Sequence, residues 1–170
     1  MKNQKLKLTI ISALFAALIC VATMVVKIPT PLNGYINLGD CVILVAAFTL
    51  PCGYGFLAAG IGSALADILS GYTAYAPATF VIKGLMVLVV YLVTKFIKLK
   101  KPNLTQVLSG VLAEFWMVLG YYIFEGFMYG FAPSLANIPM NLIQGVAGLT
   151  LAVVLIKVVE KQKLLSKLKI

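Results

Sequence analysis

Between Lys7 and Lys27 the chain runs nineteen residues, 8–26, without a charge. As a helix rising ~1.5 Å per residue, that run is about as long as a bilayer's hydrocarbon core is thick. Lysines ahead of an apolar run also suit a signal peptide. Five more apolar runs follow, at 40–50, 56–69, 78–97, 104–127 and 138–159, with no clean cleavage site before a mature domain. The first run is therefore read as a retained span. With 62% hydrophobic residues and a mean hydropathy of +1.03, the expectation is an all-α integral membrane protein, residues 1–170 forming one domain of six transmembrane helices.

The punctuation between runs supports this reading. Residues 27–39, KIPTPLNGYINLG, read as a loop, because two prolines and two glycines break any helix. Residues 51–55 read as a tight turn, 98–103 as a basic hinge and 126–139 as an aromatic loop. The basic tail, 160–170, either continues the sixth helix or lies on the membrane surface.

Six spans place both termini on one side, and the lysines say which. Lys2, Lys5, Lys7, Lys95, Lys98, Lys100, Lys101, Lys157, Lys161, Lys163, Lys167 and Lys169 fall on one face, twelve of the fourteen lysines. Positive charge stays inside, so that face and both termini are expected to be cytoplasmic. The net charge of +9 is then a topology signal and an attraction to lipid headgroups, with no nucleic-acid partner implied.

The remaining polar residues gather on the outer side. A helix rich in small residues runs into Asp67, a tyrosine-rich turn follows at 71–77, and the next helix carries Thr79 and Lys83 on one face. Asn37 and Asp40 lie a turn apart at the start of the second run. Glu114, Tyr121 and Glu125, at offsets of seven and eleven, share a face of the fifth helix. Asn137, Asn141, Gln144 and Gly148, at offsets of four, seven and eleven, share a face of the sixth. The loops add Tyr35, Tyr72, Tyr75, Tyr129 and Phe131.

Charge in hydrocarbon costs several kcal/mol, so these groups are expected to face inward. A purely structural hydrogen-bond network, with Lys83 paired to Asp67 or Glu125, accounts for part of the set. Four buried acids and one lysine exceed what a bundle needs, so the cluster is read as a pocket for a small, flat, polar molecule. Its expected lining is Asn37, Asp40, Asp67, Tyr75, Thr79, Lys83, Tyr121, Glu125, Asn141 and Gln144. Glu114 is either the pocket floor or a protonated partner of a buried amide.

Ala13 and Ala17, spaced AxxxA on the first helix, permit close approach of another helix, and the spacing alone favours one inside the bundle. Cys20, Cys41 and Cys52 form no CxxC pair and read as small buried hydrophobes. No phosphate-cradling GxxxxGK[ST], no metal-ligand cluster and no histidine appear, so neither an enzyme nor a cofactor is expected.

With these features in place, the chain resembles the S components of energy-coupling factor (ECF) transporters, the vitamin-capturing subunits of bacterial ABC importers. The resemblance covers length, span count and loop placement. GYINLGD at 34–40 and LADILSGYTAYAPATFVIKG at 65–84 are most similar to the subgroup assigned to pyridoxine or hydroxymethylpyrimidine, more distantly to the riboflavin type. The resemblance implies a bacterial cell membrane location and capture of a vitamin at the outer face. It implies docking through Ala13 and Ala17 onto a membrane scaffold (T) subunit coupled to two ABC ATPases, which supply the missing nucleotide site. Substrate would be delivered inward by toppling of the subunit in the membrane. Among substrates, vitamin B6 is expected first, hydroxymethylpyrimidine second and riboflavin third. The alternative is a stand-alone proton-coupled carrier using Glu114 or Glu125 as relay.

Overall fold

A computed structural model describes residues 2–32, 34–97, 99 and 102–161. The expectations for Lys98, Lys100 and Lys101 in the hinge, and for the tail 162–170, lie outside the described residues. The chain forms α1 (Lys2–Val25), β1 (Ile28–Pro29), β2 (Tyr35–Ile36), α2 (Gly39–Thr49), α3 (Cys52–Leu69), α4 (Ala76–Phe96), α5 (Pro102–Tyr129), a short α6 (Phe131–Ser134), a 3-10 turn (Leu135–Asn137) and α7 (Ile138–Lys161).

Among the described residues five helices are long and apolar enough to cross a membrane; α2 is not. Its eleven residues rise ~16 Å, about half the hydrocarbon thickness. The second of the six expected spans is thus a short helix. The chain just ahead of it is buried at Ile36 and Asn37, and its polar groups find partners. Asn37 N–H donates to Gln144 Oε1 at 2.9 Å, and Gly39 N–H to Asn37 Oδ1 at 2.9 Å.

Residues 27–39 are more ordered than a loop. Ile28 pairs with Ile36 and Pro29 with Tyr35 in a small antiparallel hairpin, closed by Thr30 N–H to Gly34 O at 2.9 Å. Two-residue strands carry no readable alternation, which is why the pattern missed them. The expected turn at 51–55 is instead the start of α3, with Pro51 just before the first helical residue, where its missing N–H costs nothing. Similarly, α5 continues to Tyr129 and breaks only at Gly130, whose φ of +95° suits glycine.

The core forms around α2. Ile43, Leu44, Met86, Val87, Val90 and Met117, from α2, α4 and α5, pack with almost no exposure. Helices α3 and α4 share the most extensive interface. There Gly60 faces Phe80, Gly84 faces Phe56, and the two rings meet edge to face at 5.9 Å. Outward-facing Leu14, Phe115, Phe127 and Val146 form part of an apolar belt. Helix α1 is the most peripheral of the long helices.

Ala13 and Ala17 belong to that outer surface. Both are exposed, and they line an open groove with Ser12, Ala16, Tyr54 and Leu57. The inside partner favoured by their spacing is therefore corrected. The close contact between α1 and α3 falls elsewhere, at Ala16 and Gly62.

Candidate functional site

The C-terminal end of α3 is shaped by its cap. Gly71 takes φ +86°, Tyr72 N–H returns to Asp67 O at 2.8 Å, and Gly71 N–H to Ile68 O at 3.2 Å. This is a Schellman closure, and it sets Asp67 and Tyr72 on the same edge. The hairpin meets them there. Tyr35 O–H donates to Asp67 Oδ1 at 2.6 Å, and its ring lies 4.7 Å from that of Tyr72. Burial, then the adjacent Asp67 carboxylate, pushes the Tyr35 hydroxyl well above the ordinary phenol range. It therefore stays a donor throughout the physiological range.

Tyr75 repeats the arrangement on the other side. Its hydroxyl donates to Leu32 O at 2.7 Å, with Glu125 Oε1 at 3.4 Å. Asn137 Nδ2 donates to that same Oε1 at 2.8 Å. Thr79 and Tyr121 share a hydrogen bond of 3.1 Å.

These groups enclose a cavity of about 390 Å³, its mouth included, between the hairpin and the ends of α3, α4, α5 and α7. Of the residues expected from sequence, Asn37, Asp67, Tyr75, Thr79, Tyr121, Glu125, Asn141 and Gln144 line it. Tyr35 and Tyr72 join them from the loops, and Thr30 and Gly34 are lining residues that the sequence reading missed. Nothing in the sequence marks those two, because only hairpin closure brings them there. Phe131 instead packs against Phe127 and Tyr122.

Asp40 and Lys83 do not line the cavity. They form a fully buried ion pair with each other, which corrects both pairings expected for Lys83. Gln144 bridges this pair to the cavity wall: its Nε2 donates to Asp40 Oδ2 at 2.6 Å, while its Oε1 accepts from Asn37. Lys83 Nζ also sits 5.4 Å over the Tyr121 ring.

Several polar atoms have no partner. Asp67 Oδ2, Glu125 Oε2, Asn137 Oδ1 and Thr30 Oγ1 are all buried and unpaired. Three of these four are acceptors only. Such atoms are costly to leave bare, so the set suits a guest that donates. Among the described residues no group of three or more potential ligands for a metal ion occurs.

Residues 3–161 match the family described as the S component of ECF-type riboflavin transporters. An uncharacterized protein of Pyrococcus woesei is 37% identical over 133 residues, covering 77% of this chain and 86% of that protein. The thiamine precursor transporter HmpT of Lactococcus lactis subsp. cremoris is 26% identical over 168 residues, covering 98% and 95%. The solved structure of the S component of a bacterial ECF transporter aligns with a TM-score of 0.74 over 95% of this chain and 98% of that one. Its 22% identity means that the likeness speaks for the fold alone.

Proposed function

The chain belongs to the family of ECF-type S components, multi-pass substrate-binding subunits of cell-membrane transporters and not enzymes, and from that premise we propose that its cavity captures an unphosphorylated single-ring vitamin or vitamin precursor. The observation that carries this reading is the pair of unpaired carboxyl oxygens on residues of the cavity wall. Asp67 and Glu125 each offer a bare carboxyl oxygen, and Lys83, the buried lysine nearby, is committed to Asp40. A ring bearing amino, ring N–H or hydroxymethyl donors supplies what those atoms lack. A phosphate ester would bring two negative charges toward two acids.

Riboflavin ranks behind pyridoxine and hydroxymethylpyrimidine, because its fused rings need a longer cavity and more stacking. Tyr35, Tyr72 and Tyr121 supply aromatic faces, and Asn37, Asn141 and Gln144 supply amides to read the ring's substituents. The Lactococcus relative is by name a thiamine precursor transporter, which lends weight to the pyrimidine.

The lysine distribution supports a topology in which the cavity opens outward and both termini are cytoplasmic. Ala13 and Ala17, both exposed on α1 in an open groove, are the proposed contact with a scaffold subunit, itself coupled to two ATPases. Delivery would follow from reorientation of the whole subunit in the bilayer.

The test is titration of the purified chain, in detergent, with pyridoxine, hydroxymethylpyrimidine, riboflavin and pyridoxal 5′-phosphate. One of the first two is expected to bind at least about tenfold more tightly than the phosphate ester, an energy difference of about 1.4 kcal/mol. Equal or tighter binding of the ester contradicts the acceptor argument. A stand-alone proton-coupled carrier would draw on the same surplus of acids. It predicts pH-driven uptake into liposomes holding this chain alone, whereas a capture subunit predicts none until its partners are added.

A further inference from the structure

Three buried amides follow one another along the start of α7: Asn137 in the 3-10 turn just ahead of it, then Asn141 and Gln144. Their hydrogen bonds divide them sharply. Gln144 has no capacity to spare. Its Nε2 donates to Asp40 Oδ2 at 2.6 Å and lies 3.9 Å from Met117 Sδ. Its Oε1 accepts from both the backbone N–H and the Nδ2 of Asn37, at 2.9 and 3.2 Å. The direction of this chain is set below the cavity. Asp40 takes Lys83 on its other oxygen, and a carboxylate only accepts. Gln144 must therefore turn its nitrogen to Asp40 and its oxygen to Asn37. Asn137 is also engaged, with its Nδ2 on Glu125 Oε1 at 2.8 Å, and it does not line the cavity.

Asn141 differs from both neighbours. It lines the cavity and is 8% exposed, and among the described residues its side chain makes no hydrogen bond. A buried amide is costly to leave unpaired, so this one suits a guest that pairs it. An asparagine amide offers an N–H and a C=O side by side in one plane. The rigid edge that answers both at once is a ring nitrogen beside an exocyclic N–H, the pairing by which asparagine reads adenine. An aminopyrimidine carries that edge. Pyridoxine does not: its ring nitrogen stands between a C–H and a methyl-bearing carbon, and its hydroxyls would have to freeze their rotation to imitate the pair.

We propose that Asn141 sets the ring specificity of the cavity, and that the guest it selects is an aminopyrimidine, whose ring nitrogen and amino group pair with its amide. This rests on the reading of the cavity as a vitamin site, and narrows it. Gln144 is then a positioning residue, which holds Asn37 in place from Asp40 and contacts no guest through its own polar atoms. The second amino N–H and the hydroxymethyl O–H of the guest are left for the bare oxygens of Asp67 and Glu125.

The test is calorimetric titration of the parent and of Asn141→Ala with three probes: the amino-bearing hydroxymethylpyrimidine, the same compound without its amino group, and pyridoxine. In the parent the aminopyrimidine is expected to bind at least about tenfold more tightly than either of the others. In Asn141→Ala that advantage is expected to shrink at least about fivefold, because the substitution and the missing amino group remove the same contact. The unfolding temperature is expected to stay near the parent's, since no hydrogen bond within the protein is lost. A purely structural Asn141 would weaken all three probes alike and leave their ratios unchanged, and that result overturns the proposal. So does a parent that binds pyridoxine as tightly as the aminopyrimidine, which leaves the reading of the cavity standing. A folded parent that binds none of the three overturns both.

Discussion

At the scale of single residues, the buried pair of Lys83 and Asp40 separates structure from binding. Removing one partner strands the other charge in the core. Lys83→Ala is therefore expected to cost about 3–5 kcal/mol, read as a large fall in unfolding temperature. The double change Lys83→Met with Asp40→Asn leaves no stranded charge and is expected to recover most of that loss. The cavity acids behave differently. Asp67→Asn and Glu125→Gln each remove a charged acceptor of about 1.5–3 kcal/mol, so affinity is expected to fall roughly 10- to 100-fold while the fold survives. Calorimetric titration of each variant checks this. The eight cavity residues foreseen from sequence were legible because helical offsets are local: Tyr121 and Glu125, or Asn141 and Gln144, share a face whatever the tertiary fold. The partner of Lys83 was not legible. Asp40 lies on the short central helix, and nothing in its own neighbourhood says which helix packs over it.

At the scale of elements, two faces of α1 predict opposite outcomes. Gly62 of α3 lies against Ala16, where an added Cβ would run into the Ala16 carbonyl oxygen, a backbone atom that moves only with its helix. Gly62→Ala is therefore expected to destabilise by about 1–3 kcal/mol, again read by unfolding temperature. Ala13→Leu and Ala17→Leu point outward and are expected to leave stability and vitamin binding unchanged. In reconstituted vesicles that also hold scaffold and ATPases they are expected to abolish uptake; normal uptake would remove α1 as the docking helix. The AxxxA spacing revealed a close-approach face, but spacing alone does not tell a lipid-facing groove from an internal seam. The short second helix, by contrast, was legible: its apolar run spans 40–50 in the sequence and Gly39–Thr49 in the structure. The hydrogen bonds of Asn37 and Gly39 just ahead of it were not, because their partners are set by the tertiary fold and the local turn.

At the scale of the whole molecule, the account rests on a direction as well as a site. The cavity lies among the C-terminal ends of α3 and α5 and the N-terminal ends of α4 and α7. The basic segments of the sequence lie at the opposite ends. In a cysteine-free background, Thr73→Cys is expected to react with an impermeant maleimide from outside intact cells, and Lys5→Cys only after permeabilisation; the reverse pattern would turn the site inward. Family and helical architecture were legible in the sequence because length, hydropathy and loop placement are shared by chains that fold this way. The substrate was not, because it depends on which lone pairs remain bare once the helices have packed. The central claim is that this cavity holds a vitamin-like ring, and the most direct test is mass spectrometry of small molecules carried through gentle purification of the chain alone, followed by titration of what is found. The account predicts an unphosphorylated pyridine or pyrimidine, bound one to one and lost in Asp67→Asn. A folded chain that carries nothing and stays silent to all these compounds would contradict it and leave the polar cluster as packing.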